Sequence, residues 1–238
     1  MTILVVGASG ATGRLLVEQL LNRGEVVRII VRTESNLPAT LDTHENLTII
    51  RTSVLDLSDA EMAEHVDGCR AVASCLGHSS IFGPPRRLVT DATRRLCQAT
   101  ESHQPEAPVK FVLMNTTGNV NPDASERVSF AERCVIGLIR LLLPPHPDNE
   151  QAAKFLRTEI GQDNKAIEWS VVRPDDLIDK NEVTEYEAYP SPIRSAIFDA
   201  GKTSRINVGH FIAELITNDA IWSQWKWQMP VIYNKEIE

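Results

Sequence analysis

The chain opens on an unbroken apolar run at residues 3–6, passes through a glycine-rich turn, and then changes rhythm. Leu16 and Leu20, and Val17 and Leu21, recur four positions apart. A run that is apolar at every residue is what a strand buried on both faces needs, whereas a four-residue recurrence marks one face of a helix. The pattern therefore predicts a strand at 3–6 and a helix at 12–23, with Gly24 placed to end it. Further strands are predicted at 26–31, 47–50, 71–76, 109–114, 167–172 and 231–233. Helices are predicted after Ser58, which stands at capping-box spacing from Glu61, at 85–103 with Pro85 in the first turn, and at 208–217. Between 124 and 160 the pattern is helical but broken by Pro144, Pro145 and Pro147, which have no amide to donate. Two helices are expected there, the second starting at Asp148 with Gln151 at capping-box spacing and Ala152, Leu156 and Ile160 along its buried face.

Strand, helix, strand in repeated order builds a parallel sheet covered on both faces. The expected fold class is thus α/β, a doubly wound parallel sheet with helices on both faces. No repeat or low-complexity tract sets the last third apart. One domain over 1–238 is expected, with 175–238 as a small C-terminal cap on the substrate side and the polar stretch 175–202 read as loop.

The turn after the first strand reads Gly7-Ala8-Ser9-Gly10-Ala11-Thr12-Gly13. Glycines between a buried strand and an amphipathic helix let backbone approach a pyrophosphate with no Cβ in the way, while the helix N-terminus offers unpaired amides and partial positive charge. The spacing is G-x-x-G-x-x-G, not G-x-G-x-x-G, and it stands in the strand-to-helix context that such a motif demands. A dinucleotide held by Gly7, Ser9, Gly10, Ala11, Thr12 and Gly13 is expected. An acid at the end of the second strand suits the ribose hydroxyls of NAD, a base the 2′-phosphate of NADP. That strand ends in Val31-Arg32-Thr33, where Arg32 can fork onto a phosphate and Thr33 can add a hydroxyl. NADP(H) is expected in preference to NAD(H), with Glu34 as a counter-signal. Asp56, followed by Leu57, can accept from the adenine amino group or cap the next helix.

Composition narrows the partners. A net charge of −8 and the lack of any Lys/Arg block argue against nucleic-acid binding. Cys69, Cys75, Cys97 and Cys134 lie far apart, with neither C-x-x-C nor metal-ligand spacing, so buried reduced thiols are expected, with no disulfide framework and no metal. The chain start shows no secretory signal and no stretch reaches the ~18 apolar residues of a membrane span. The expected setting is the cytoplasm and the expected partner a small-molecule substrate.

Gly7, Gly10 and Gly13, the strand-end Arg32, Asp56-Leu57, Cys75-Leu76-Gly77, Asn115-Thr116-Thr117-Gly118 and Val172-Arg173-Pro174 together resemble the atypical short-chain dehydrogenase/reductase superfamily. The resemblance is to NAD(P)H-binding members of the NmrA-like and flavin reductase or biliverdin reductase type, and it covers nearly the whole chain. It implies a Rossmann fold with strand order 3-2-1-4-5-6 and the nicotinamide over the ends of strands four to six. It also implies cofactor contacts from Cys75, Leu76, Gly77, Thr116, Lys154 and Pro174. In the family a Ser beside a Tyr-x-x-x-Lys helix moves the proton; the matching positions are Thr117, Glu150 and Lys154. A glutamate with a pKa near ~4 is a poor proton donor at neutral pH unless burial raises it. Glu150 and Lys154 also have the spacing of an exposed ion pair. His78, just past the fourth strand, can donate a proton near the substrate, although most loop histidines are bystanders.

The expected activity is NADPH-dependent hydride transfer to a small, planar, flavin- or quinone-like acceptor with solvent as proton source. The alternative, kept open by Glu150, is a regulatory or redox-sensing protein of the NmrA-like type that binds NADP(H) and turns nothing over. The acceptor is expected at the C-terminal strand ends, among residues 79–85, 118–123 and 175–202 with Tyr186 and Tyr189. The apolar run 134–143 reads first as core, then as a pocket wall or homodimer contact, and Trp222, Trp225 and Trp227 read as a packing edge.

Overall fold

Successive side chains of a strand point to opposite faces, so an all-apolar first strand has to be covered twice. In the computed structural model, which describes residues 1–32, 37, 41, 43–126 and 128–235, β1 (Thr2–Val6) sends Ile3 and Val5 into one hydrophobic cluster and Leu4 and Val6 into another. One face carries α1 (Ala11–Asn22), α6 (Arg205–Thr217) and α7 (Asp219–Trp225); the other carries α2 (Asp59–Val66), α3 (Leu88–Ser102) and α5 (Pro145–Phe155). Between them lie β2 (Val26–Val31), β3 (Leu47–Arg51), β4 (Cys69–Ser74), β5 (Val109–Met114), β6 (Ile167–Pro174), β8 (Tyr186–Tyr189) and β10 (Val231–Asn234). The sheet order is β3-β2-β1-β4-β5-β6-β10-β8, parallel throughout except that β8 runs antiparallel to β10. The doubly wound fold and the order of its first six strands are those expected. The order reverses between β1 and β4, the switch point at which such sheets open a ligand crevice.

The local rules hold where partners are near in sequence. Ser58 accepts from the Glu61 amide and Glu61 reaches back to the Ser58 amide at 2.7 Å, so α2 carries its capping box. Elsewhere tertiary contacts move the boundaries. The third helix starts at Leu88, not at Pro85, because the amides of Val89 and Thr90 find their acceptor in the Asp148 carboxylate. Asp148 does not cap α5, as the spacing implied. That helix begins at Pro145, since proline in a first turn forfeits no hydrogen bond.

The stretch 175–202 is not all loop. It holds β8 on the main sheet, and β7 (Asp176–Ile178), which pairs with β9 (Lys202–Ser204) in a two-stranded sheet. Tyr186 and Tyr189 lie on edge strand β8, with Tyr186 packed edge-on against His210 and Phe211. The apolar run of α4 (Phe130–Leu142) is not core: only Glu132 and Ile136 are buried, and Leu141 is 79% exposed. Cys134 is exposed with it, whereas Cys69 and Cys97 are buried. Trp222 and Trp225 sit in the α1/α6 cluster, and Trp227 packs on the other.

Candidate functional site

The turn after β1 is built by close approach of bare backbone. Gly7 has φ +78, and a Cβ on it would lie 2.5 Å from the carbonyl carbon and oxygen of Cys75. A Cβ on Gly13 would collide with the Gly7 carbonyl oxygen. These two glycines let the loop fold between the ends of β1 and β4. The chain then enters α1 at Gly10 with no side-chain cap and no acid in the first turn, so the first-turn amides and the positive end of the helix are left to a ligand.

Over this helix end lies a groove of about 700 Å³. Its floor is Gly7, Ser9, Gly10, Ala11 and Thr12. On the β2/β3 side it is walled by Arg32 and residues 52–54, and on the β4/β5 side by Cys75, Leu76, Gly77, His78, Ser79 and Met114. Arg32 is exposed, and among the described residues it has no ion-pair partner. Thr33, also expected at the cofactor, lies outside the described residues. The Cys75 thiol is pushed up to about 12 by burial, which leaves it a neutral wall group.

Other expected residues lie elsewhere. Asp56 is exposed and off the groove wall, and Ser58 caps α2 in its place; Leu57 is buried in the core. Thr116 and Pro174 are not on the groove wall, and Gly13 acts from beneath the Gly7 turn. Thr117, Glu150 and Lys154 do not form a constellation. Thr117 is buried and donates its hydroxyl to Asp175 at 2.9 Å, while the other Asp175 oxygen accepts the Gly201 amide at 2.8 Å. Burial raises the Asp175 pKa against those two hydrogen bonds. Glu150 is gripped by Arg140 at 2.7 Å and lies 3.2 Å from His146 Nε2. Burial pushes the Glu150 carboxyl up, but His146 and Arg140 outweigh it and hold it below the ordinary carboxylate range. Lys154 is exposed on α5, away from the groove wall and without the expected ion pair, because Arg140 has taken Glu150.

Two long-range contacts escaped the sequence reading. His78 Nε2 meets Asp148 Oδ2 at 2.8 Å, and the fully buried Arg173 forks onto Glu126 at 2.5 and 3.1 Å while also donating to the carbonyls of Asn119 and Met229. The signal that could have found the first is the polar Pro-His-Pro-Asp segment beside a glycine-histidine loop; for the second there is none at short range. Beside Thr117 a second hollow of about 400 Å³ is lined by Val120, Glu132, Ile136, Ile193 and Phe198 among others. Glu132 there accepts the Ser195 hydroxyl at 2.9 Å. Among the described residues no cluster of His, Cys, Asp and Glu could hold a metal, and no helix is long and apolar enough to cross a membrane.

A family model described as NAD(P)H-binding matches residues 7–219. An uncharacterized chloroplastic protein of Arabidopsis thaliana is 29% identical over 178 residues, which cover 74% of this chain and 59% of that protein, so the match spans less than two thirds of the relative's length. A short-chain dehydrogenase/reductase of Veillonella parvula in complex with NADP superposes with a TM-score of 0.71 at 15% identity, over 98% of this chain and 94% of that one. An anaerobillin reductase of Escherichia coli O157:H7 does so at 0.70 and 16%, over 100% and 99%. At these identities the structural likeness is one of fold.

Proposed function

The chain belongs to the NAD(P)H-binding family, and on that premise we propose that it is an NADPH-dependent oxidoreductase passing hydride to a small, planar, flavin- or quinone-like acceptor. The observation that carries the reading is the uncapped α1 terminus beneath the Gly7 turn, opening into a groove at the switch point of the sheet. The donor set fits a dinucleotide phosphate: backbone amides of the 7–13 loop for the pyrophosphate, the Arg32 guanidinium for a 2′-phosphate, and residues 52–54 for the adenine side. When bound, the reduced nicotinamide supplies the hydride. Leu76, Leu88 and Met114 keep that side of the groove apolar and shed water.

The acceptor site we assign runs from the His78 end of the groove to the hollow beside Thr117, closed by residues 192–198, which makes this part of the chain the substrate-side cap. Thr117 holds its proton on Asp175 and offers oxygen lone pairs to an incoming ligand. Glu150 is kept ionised and serves Arg140, and Lys154 stays at the surface, so neither is assigned a part in the chemistry. An acceptor that needs no tyrosine-type proton relay suits that arrangement.

The test combines calorimetric titration with NADPH and NADH and an absorbance assay of NADPH oxidation against flavins, quinones and carbonyls. The expected result is tighter binding of NADPH and turnover with planar acceptors. Tight binding with no turnover across the panel would instead establish a dinucleotide-sensing regulator, and no binding at all would remove the groove from consideration.

A further inference from the structure

His78 and Asp148 stand 70 positions apart in the chain and meet at the groove wall, with side chains only 6% and 1% exposed. The Asp148 carboxylate is already held without the histidine: the Val89 amide donates to Oδ2 at 2.8 Å and the Thr90 amide to Oδ1 at 3.0 Å. The Thr90 hydroxyl donates to the Asp148 carbonyl at 2.9 Å and fixes its backbone as well. A carboxylate that receives N–H donors on both oxygens acts as an acceptor, so His78 Nε2 carries a hydrogen and donates it. Proton exchange is then left to Nδ1. Among the described residues Nδ1 has no hydrogen-bond partner, and it is not sealed in the interior. His78 stands on the β4/β5 side of the groove with Leu76, Leu88 and Met114, opposite the side of Arg32. A buried carboxylate on one nitrogen of a groove-lining imidazole, with the other nitrogen unpartnered, is the arrangement in which a histidine serves as acid and base, because the carboxylate fixes the tautomer and stabilises the charged ring.

We infer that His78 is the proton donor of the reaction, an inference that rests on the hydride-transfer reading above. Hydride brings the acceptor two electrons and one hydrogen nucleus and leaves it one proton short of its reduced form. The N–H bond at Nδ1 of the imidazolium breaks as a bond from that hydrogen to the acceptor forms; the ring becomes neutral while its Nε2–H stays on Asp148, and water restores the lost proton. One NADPH, one acceptor and one proton give NADP⁺ and the doubly reduced acceptor. Solvent is then the ultimate proton source, and the histidine is its delivery point.

His78→Gln and His78→Ala test this against wild type, using NADPH and whichever flavin or quinone the wild type reduces. Both variants should lose about 10²- to 10⁴-fold in kcat, the range of a general acid, a loss much larger than any change in calorimetric NADPH affinity, and His78→Gln, whose amide can still donate to Asp148, should keep a melting temperature close to wild type. Added imidazole should restore part of the kcat of His78→Ala, which a packing defect would not allow. Diethylpyrocarbonate, followed by peptide mass spectrometry, should label His78 in the free protein and label it more slowly with NADPH bound. Unchanged kcat in His78→Gln, or a His78 that the reagent cannot reach, overturns the inference while leaving the hydride reading intact. A wild type that binds NADPH and reduces no acceptor overturns both.

Discussion

Gly7 and Gly24 share a φ of +78 but have different surroundings. Replacing either with alanine forces a Cβ into the left-handed region, at a cost of roughly 1–2 kcal/mol. At Gly24 the cost ends there, because nothing lies within 4 Å of the new carbon. At Gly7 the Cβ arrives 2.5 Å from the Cys75 carbonyl group and 2.7 Å from the Leu76 nitrogen, all of it backbone, so no flexible side chain can yield. The ends of β1 and β4 have to part, which adds about 1–3 kcal/mol of overpacking. For a chain of this size each kcal/mol moves the melting temperature by about 2–4 °C, so Gly7→Ala should melt roughly 2–12 °C below Gly24→Ala. The same displacement tilts the amides of the 7–13 loop away from the groove, so NADPH affinity by calorimetry should fall about tenfold or more in Gly7→Ala and stay at the wild-type value in Gly24→Ala. Equal melting temperatures and equal affinities in the two variants would refute the reasoning that close backbone packing under the groove is what the first glycine provides.

Arg32→Ala should lower the NADP⁺/NAD⁺ affinity ratio by about 5- to 30-fold, the loss of one exposed charge-assisted contact, with a smaller ratio at high salt; an unchanged ratio in parallel titrations would refute the 2′-phosphate assignment. Arg173→Met leaves the Glu126 carboxylate, itself 3% exposed, without its cation and should destabilise by about 3–5 kcal/mol in urea unfolding, whereas Arg173→Met combined with Glu126→Leu should recover most of that loss. Glu150, pushed up by burial but held lower by His146 and Arg140, has a folded-state pKa below the ordinary 4.5. Its contribution to stability is therefore complete above that ordinary value and is lost as pH falls through the lowered one. Melting curves recorded between about pH 3 and 5 should show a shallower acid loss in Glu150→Gln than in wild type, and identical slopes would contradict the ion-pair account.

The elements that sequence pattern predicts best are those whose cause lies within a few residues. Periodicity located β1, α1 and β5, and the capping rule located α2, because each rests on its own side chains and immediate neighbours. The floor of the groove was legible for the same reason: Gly7, Gly10 and Gly13 mark a backbone event, and Arg32 follows from where β2 must end. The three-residue strands were not legible. β7 and β9 are three residues each and polar in part, and they exist because each supplies the other's ladder. The apolar run of α4 misled because hydrophobicity reports a demand for cover without saying what meets it, and this helix leaves Leu138, Leu141 and Leu142 outside.

Asp148 shows why the chemistry was harder to read than the fold. Its spacing from Gln151 satisfies the rule for a cap on its own helix, and that rule would hold if the helix began there. Proline at the first turn costs nothing, so α5 starts at Pro145 and the carboxylate is released from local duty. It is then free to supply what the loop after β4 lacks, an acceptor for the first amides of α3 and for His78. Asp175 repeats the logic, reaching the Thr117 hydroxyl 58 positions away, and Glu126 reaches Arg173 across 47. In each case a side chain at the C-terminal ends of the strands is oriented by an acid delivered from another connection, because parallel strands bring the loops that follow them to one edge of the sheet. Residues that meet there are separated in sequence by a whole strand-helix unit, so local spacing rules cannot pair them. The pairing follows once the strand order is known.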